Sequence, residues 1–214
     1  MRDFGEDGDL LYLVTDLLEG VSLAERLSSG GALPVETLDR FLRQITDAAG
    51  ALHRRGSLVS GLHPGIIRVV TDADGERLVI STAGVSQIQD VLSTLDVKTL
   101  RQGGEVSELQ YVAPEILTGQ PATVRADLYT LGAIAYEMAT GRRPYAATAL
   151  PSLLGLILAG PPANPNTLRP ELGDQRSATI LRTLARDPAD RFTAAADLLV
   201  AWTDSSLGPA AVIG

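Results

Sequence analysis

Few residues in this sequence can move a proton or hold a cation. There is no cysteine and there are only two histidines, so disulfides, thiolate nucleophiles and thiolate metal sites are excluded and a multi-histidine centre has too few ligands. His63, in a Pro-Gly loop, titrates near neutrality and is a candidate acid or base. No carboxylate or nucleophile maps beside it along the chain, so it reads as a solvated loop histidine. Asp72 and Asp74 look like a metal pair, but Asp74-Gly75 is a hairpin-turn signal and explains them more simply. Asp127 stands in the first half of an apolar stretch and, once buried there, requires a donor as partner. Between residues 85 and 110, Ser86, Ser93, Thr94, Thr99 and Ser107 are candidate regulatory phosphorylation sites, where an added phosphate would create a docking point for a phosphopeptide-binding partner.

The elements that must position these groups follow from periodicity and punctuation. Residues 124 to 140 are predicted as the central helix: Thr123 is its N-cap and Gly141 its C-cap, and Leu128, Leu131, Ala133, Ile134, Ala135 and Met138 spread apolar surface round most of its circumference. A helix apolar on every side belongs in the middle of a domain with other helices packed round it. Ahead of it, residues 1 to 9 read as a Gly- and Asp-rich loop and Leu10 to Val14 as a strand. Ser22 to Ser28 reads as a short helix with a Ser22 and Glu25 capping box. Pro34 to Arg55 is a longer helix, with Leu38, Phe41, Leu42, Ile45, Ala49 and Leu52 on one face. Ile66 to Val70 and Leu78 to Ile80 form a small hairpin. Residues 85 to 110 are a long polar loop. Helical segments are predicted near 113 to 118, 151 to 159, 177 to 185 and 193 to 203, with Pro-rich joints at 161 to 170.

Composition limits the function classes. With 214 residues, 45% of them hydrophobic, the chain can bury a full core. The formal net charge of −8 argues against a phosphate-backbone surface, hence against nucleic acid as partner. The first twenty residues lack the basic start and apolar core of a signal peptide. No apolar run is long enough to span a bilayer. A cytoplasmic location suits the absence of cysteine.

Several motifs in order resemble the bacterial Ser/Thr protein kinase family, specifically its C-terminal lobe entered at the last strand of the N-terminal lobe. Leu11 to Gly20 resembles that strand, the gatekeeper at Thr15 and the hinge. Tyr111-Val112-Ala113-Pro114-Glu115 resembles the A-P-E motif that closes the activation segment. Asp127-Leu128-Tyr129-Thr130-Leu131-Gly132 resembles the start of the family's central helix, and Thr140 to Tyr145 its exit. Asp187 to Phe192 resembles the segment carrying the arginine that pairs with the A-P-E glutamate. The resemblance covers about residues 3 to 204. It implies a mainly α (α+β) fold, a helical bundle round a buried central helix with a small hairpin. Residues 1–20 would be the remnant of the N-terminal lobe, 21–204 the kinase-like C-terminal lobe and 205–214 a tail.

The resemblance also assigns roles residue by residue. Glu115 and Arg191 would form the family's buried ion pair, and Asp127 would accept amide hydrogen bonds near Val59 and Ser60. Gly61 falls where the catalytic aspartate stands, His63 at the catalytic-loop lysine, Ile66 at the magnesium-binding asparagine and Thr82 at the metal-binding aspartate. Arg68 falls where an aliphatic residue floors the adenine. Neither Ile66 nor Thr82 offers a hard cation an anionic oxygen. The implied function is a pseudokinase acting in protein–protein interaction or signalling regulation, with no cofactor. The alternative is an authentic Ser/Thr kinase, truncated or atypical, using ATP and magnesium. Asp3-Phe4-Gly5 spells the metal motif but falls where the family has a loop. His53-Arg54-Arg55 echoes His-Arg-Asp but ends the long helix, where basic residues meet the helix dipole. A strand at 10–14 without sheet neighbours would offer unpaired backbone groups, so self-association or a protein partner is expected at the hinge-strand face.

Overall fold

The computed structural model describes residues 3–7, 10–14, 19–73, 75–80 and 108–204. Thr15, Thr82, the candidate phosphorylation sites Ser86, Ser93, Thr94, Thr99 and Ser107, and the tail 205–214 lie outside the described residues.

Strands β1 (Asp3–Asp7) and β2 (Leu10–Val14) pair antiparallel, with Asp3 opposite Val14 and Asp7 opposite Leu10. The acidic opening expected to be a loop is therefore a strand at 3–7, because the apolar strand beside it supplies a complete ladder of backbone partners. Asp3-Phe4-Gly5 lies on that ladder and not in a loop. The expectation of one unaccompanied strand is corrected in the same way: β1 occupies one edge of β2.

A second sheet orders β3 (Val21–Ser22), β4 (Ile67–Asp72) and β5 (Gly75–Ile80), all antiparallel. Its hairpin brings Ile67 opposite Ile80 and Asp72 opposite Gly75. Helix α1 (Leu23–Gly30) starts with the expected capping box: the Ser22 hydroxyl accepts from the Glu25 amide at 3.1 Å, and the Glu25 carboxylate accepts from the Ser22 amide at 2.7 Å. Helix α2 (Val35–His53) buries Leu38, Phe41, Leu42, Ile45 and Ala49, the predicted face, while Leu52 from that face stays exposed.

Short helix α3 (Pro114–Leu117) leads to α4 (Val124–Thr140). Thr123 caps α4 by accepting from the Ala126 amide, and Gly141 ends it at φ 70°, a left-handed conformation that favours glycine. Leu128, Leu131, Ala133, Ile134, Ala135 and Met138 are all buried, so α4 runs through the core as its pattern predicts. Helix α5 (Leu150–Ala159) packs Leu153 and Ile157 against Leu109 and Tyr145 in a smaller cluster. Helix α6 (Pro165–Leu168) is a turn inside the predicted Pro-rich joint, made possible by Pro165 at its first position, where a missing N–H costs nothing.

Helices α7 (Gly173–Thr183) and α8 (Ala195–Thr203) close the bundle over α2 and α4. Asp39 of α2 ties three helices together. It accepts two hydrogen bonds from Arg176 of α7, at 2.9 and 2.7 Å, and one from the Trp202 indole of α8 at 2.8 Å. Gly132 lets α4 and α7 approach closely, since a Cβ there would stand 2.7 Å from Thr183 Cγ2. Among the described residues no helix is long and apolar enough to cross a membrane.

Candidate functional site

The loop of residues 57–66 leaves the end of α2 through Gly56, at φ 73°, and runs to β4. It is held from below by Asp127, which lies in the first turn of α4 and is 5% exposed. One Asp127 oxygen accepts from the Val59 amide at 2.7 Å and from His53 Nε2 at 2.8 Å; the other accepts from the Ser60 amide at 3.1 Å. These charge-assisted bonds satisfy the buried carboxylate and fix the loop. They hold Ser60 at φ 36°, a sparsely populated conformation for a residue with a Cβ, next to Gly61 at φ 76°.

The donor that Asp127 required is partly His53, which reads from sequence only as a helix-end cation. Its side chain is 9% exposed and its ring reaches across to α4. The signal was present: a buried aspartate in α4 needs a donor from a helix packed against it, and His53 is the last residue of α2.

The A-P-E segment is fastened to the same frame. Arg191, 1% exposed, gives a two-pronged ion pair to Glu115, with Nη1 to Oε1 at 2.6 Å and Nη2 to Oε2 at 2.8 Å. The guanidinium also donates to the carbonyls of Ala185, Arg125 and Arg186, and its face lies 4.8 Å from the Tyr129 ring centroid. Thr130 donates to the Tyr111 carbonyl at 2.9 Å, and the Tyr111 hydroxyl donates to the Glu137 carboxylate. Burial raises the pKa of Glu137, although the Tyr111 hydrogen bond and Arg143 oppose it. Glu115, Arg191 and Asp127 therefore meet the partners the resemblance implied.

The remaining predicted positions divide. Gly61 and His63 lie in the loop, where His63 is mostly buried, with a side chain 12% exposed, and not the solvated residue expected. His63 Nδ1 accepts from the Gly65 amide at 3.2 Å, and Nε2 faces Glu108 Oε1 at 3.8 Å. Burial lowers the His63 pKa; the nearby Glu108 charge pulls the other way. Ile66 packs half-buried against the core and offers no oxygen. Arg68 donates to the Gly20 carbonyl at 2.7 Å and lies 4.0 Å from the Glu25 carboxylate, so its charge sits between β4 and the end of the hinge stretch. Asp72 accepts from Arg77 at 2.8 Å across the hairpin, which supports the structural reading of that residue. Among the described residues no group of three or more His, Asp or Glu is placed to hold a metal ion. What the frame can do is hold an extended loop and a short helix against one small cavity, lined by Ser60, Gly61, Glu108, Ala113, Asp127 and Thr130.

Comparison with known proteins agrees with this geometry. The family model described as protein kinase domain matches residues 1–202. The chain is 34% identical over 201 residues to the serine/threonine-protein kinase PknE of Mycobacterium tuberculosis, covering 94% of this chain and 34% of the relative. It is 31% identical over 209 residues to PknH of Mycobacterium bovis, covering 98% of this chain and 34% of the relative. The chain thus spans about a third of the length of these curated relatives. The crystal structure of the Mycobacterium tuberculosis PknI kinase domain, in a point-mutant form, superposes with a TM-score of 0.64 at 24% identity, over 94% of this chain and 68% of that one. The expectation that the chain is not an enzyme is overturned by relatives at 31–34% identity, over nearly all of its length, that are named Ser/Thr-protein kinases. A central helix carrying Asp127, an A-P-E glutamate locked by Arg191 and a kinase-domain match over residues 1–202 together make this chain a member of the protein kinase domain family, among the bacterial Ser/Thr kinases.

Proposed function

We propose that the chain supplies the large lobe of a Ser/Thr protein kinase, which transfers the γ-phosphoryl group of a nucleoside triphosphate to a serine or threonine hydroxyl of a protein partner. Residues 21–204 form that lobe, 1–20 belong to the small lobe and its hinge, and 205–214 form a tail. The observation that carries this reading is the frame itself: Asp127 clamps loop 57–66 while Arg191 clamps Glu115 of the A-P-E segment, and Ser60 and Gly61 of that loop share one cavity with Ala113 of that segment. Phosphoryl transfer demands chiefly positioning and charge neutralisation, and this frame does the positioning. The names of the relatives support the same reading.

The described residues do not fit a magnesium ion, because Ile66 is apolar and no acidic cluster is present among them. A protein substrate fits a chain with a formal net charge of −8 better than a nucleic acid does. A cytoplasmic setting, where both nucleotide and reduced proteins are abundant, suits a chain without cysteine. The test is incorporation of radioactive phosphate from ATP into a generic protein substrate by the full-length protein, with a relative such as PknE run alongside. Phosphoserine or phosphothreonine that disappears in Asp127→Ala is the expected result. No incorporation under conditions where the relative labels the same substrate overturns the reading.

A further inference from the structure

Loop 57–66 carries no carboxylate, and Gly61 leaves side-chain space where the resemblance puts the proton acceptor. The opposite wall of the same cavity fills that need. Glu108 stands just ahead of the short 3-10 turn Leu109–Tyr111, which leads into the A-P-E segment. It lines the cavity together with Ser60, Gly61 and Asp127. Of the two carboxylates there, Asp127 is committed to three donors and 5% exposed, whereas the Glu108 side chain is 52% exposed and faces His63. The cavity measures about 40 Å³, enough for a hydroxymethyl group and far too small for a nucleobase.

We infer that Glu108, reaching in from the activation segment, is the proton acceptor of this site, with His63 as its positioning partner. The inference rests on the phosphotransfer reading above and names the residue that does its acid–base work. His63 Nδ1 already accepts the Gly65 amide hydrogen, so in the neutral ring the proton sits on Nε2 and points toward the Glu108 carboxylate 3.8 Å away. One water, or a small rotation of the exposed glutamate, closes that gap. In the transfer, the hydroxyl oxygen of the substrate forms a bond to the γ-phosphorus of the nucleoside triphosphate. The bond from that phosphorus to the bridging oxygen breaks, and its electron pair leaves on the nucleoside diphosphate. The hydroxyl proton passes to Glu108 and from its exposed side to water. The turn that follows Glu108 is tied to the frame, because Thr130 holds Tyr111 and Arg191 holds Glu115.

The test uses the full-length protein, ATP with magnesium and a serine peptide. Glu108→Gln is expected to lower kcat by about 10²-fold or more, the scale of general-base catalysis, with the peptide KM changed less than about threefold. Adding Gly61→Asp to Glu108→Gln returns a carboxylate from the other wall and is expected to recover kcat by about tenfold or more, which a purely structural role for Glu108 would not allow. In parallel, NMR titration of His63 is expected to give a lower pKa in Glu108→Gln than in the parent, since the carboxylate is what raises it. A parent that transfers phosphate and a Glu108→Gln variant with unchanged kcat overturns the assignment and leaves the kinase reading standing. An unchanged His63 titration overturns the pairing whether or not transfer is seen. A parent that transfers nothing removes the kinase reading and the acceptor role together.

Discussion

Cutting the bond between the A-P-E segment and the last helices is the most quantitative test of the frame. Removing one member of a buried ion pair costs roughly 3–5 kcal/mol, because the survivor is left uncompensated. The two halves of this pair are not equal survivors. In Glu115→Ala, Arg191 keeps the carbonyls of Ala185 at 2.7 Å and of Arg125 and Arg186 at 3.1 Å, and it keeps the Tyr129 ring. Its charge stays partly solvated by these dipoles, so the loss should sit near the low end, about 3 kcal/mol. In Arg191→Ala, the Glu115 carboxylate, 13% exposed, loses its cation and the same three carbonyls lose their donor. At about 1 kcal/mol for each lost bond on top of the broken pair, the loss should reach about 6 kcal/mol or more. For a chain of 214 residues, a loss of about 3 kcal/mol corresponds to a drop in Tm of about 6–12 °C. Urea unfolding of both single variants and the double variant gives the coupling directly, expected at roughly 2–3 kcal/mol. A Glu115→Ala variant within about 0.5 kcal/mol of the parent, or single losses that simply add in the double variant, would refute the reasoning.

Asp127→Ala strands the buried Val59 amide and frees Ser60 from its strained φ of 36°, so loop 57–66 should loosen. We expect a loss of about 3 kcal/mol or more from three bonds to a charged acceptor, and hydrogen exchange at the Val59 and Ser60 amides accelerated beyond the global change; unchanged exchange at those amides counts against the clamp. Alkaline stability should follow the buried tyrosines. Burial first, then the neighbouring Tyr136, pushes Tyr145 up to about 12 from 10.0. The folded state therefore holds this proton more tightly than the unfolded chain does. Its stabilising contribution is complete below pH 10 and is lost as pH rises toward 12. Tyr145→Phe should flatten part of the decline in unfolding free energy over that window, and an identical decline in the variant would refute the shift.

The parts of this structure legible in the sequence were those written in local periodicity or in a fixed spacing. The central helix 124–140 and the capping box at Ser22 and Glu25 rest on residues whose local requirements can be met in essentially one way, whereas the pairing of Glu115 with Arg191 was implied only by the resemblance of their two motifs to the kinase family. What was not legible depends on which surfaces meet. Strand β1 is Gly- and Asp-rich, and it becomes a strand through pairing with Leu10–Val14 and not through its own propensity. His53 and Asp127 are 74 positions apart, and nothing local to the end of α2 says that the ring turns inward. His63 reads as lacking a carboxylate because Glu108 is distant along the chain and comes near it only in the folded structure. The chain reads as chemically empty because Gly61, Ile66 and Thr82 stand where the resemblance expects an aspartate, an asparagine and a second aspartate.

The knot at Asp39 has a bearing on how the molecule is made. Its indole donor, Trp202, emerges from the ribosome 163 residues later, which at ordinary bacterial synthesis rates is roughly 8–30 s. During that interval the first long helix can pack against α4 but lacks the cover that α8 supplies. Messages cut short before the Trp202 codon should therefore yield protein that is cleared and not stored, however complete the rest of the lobe.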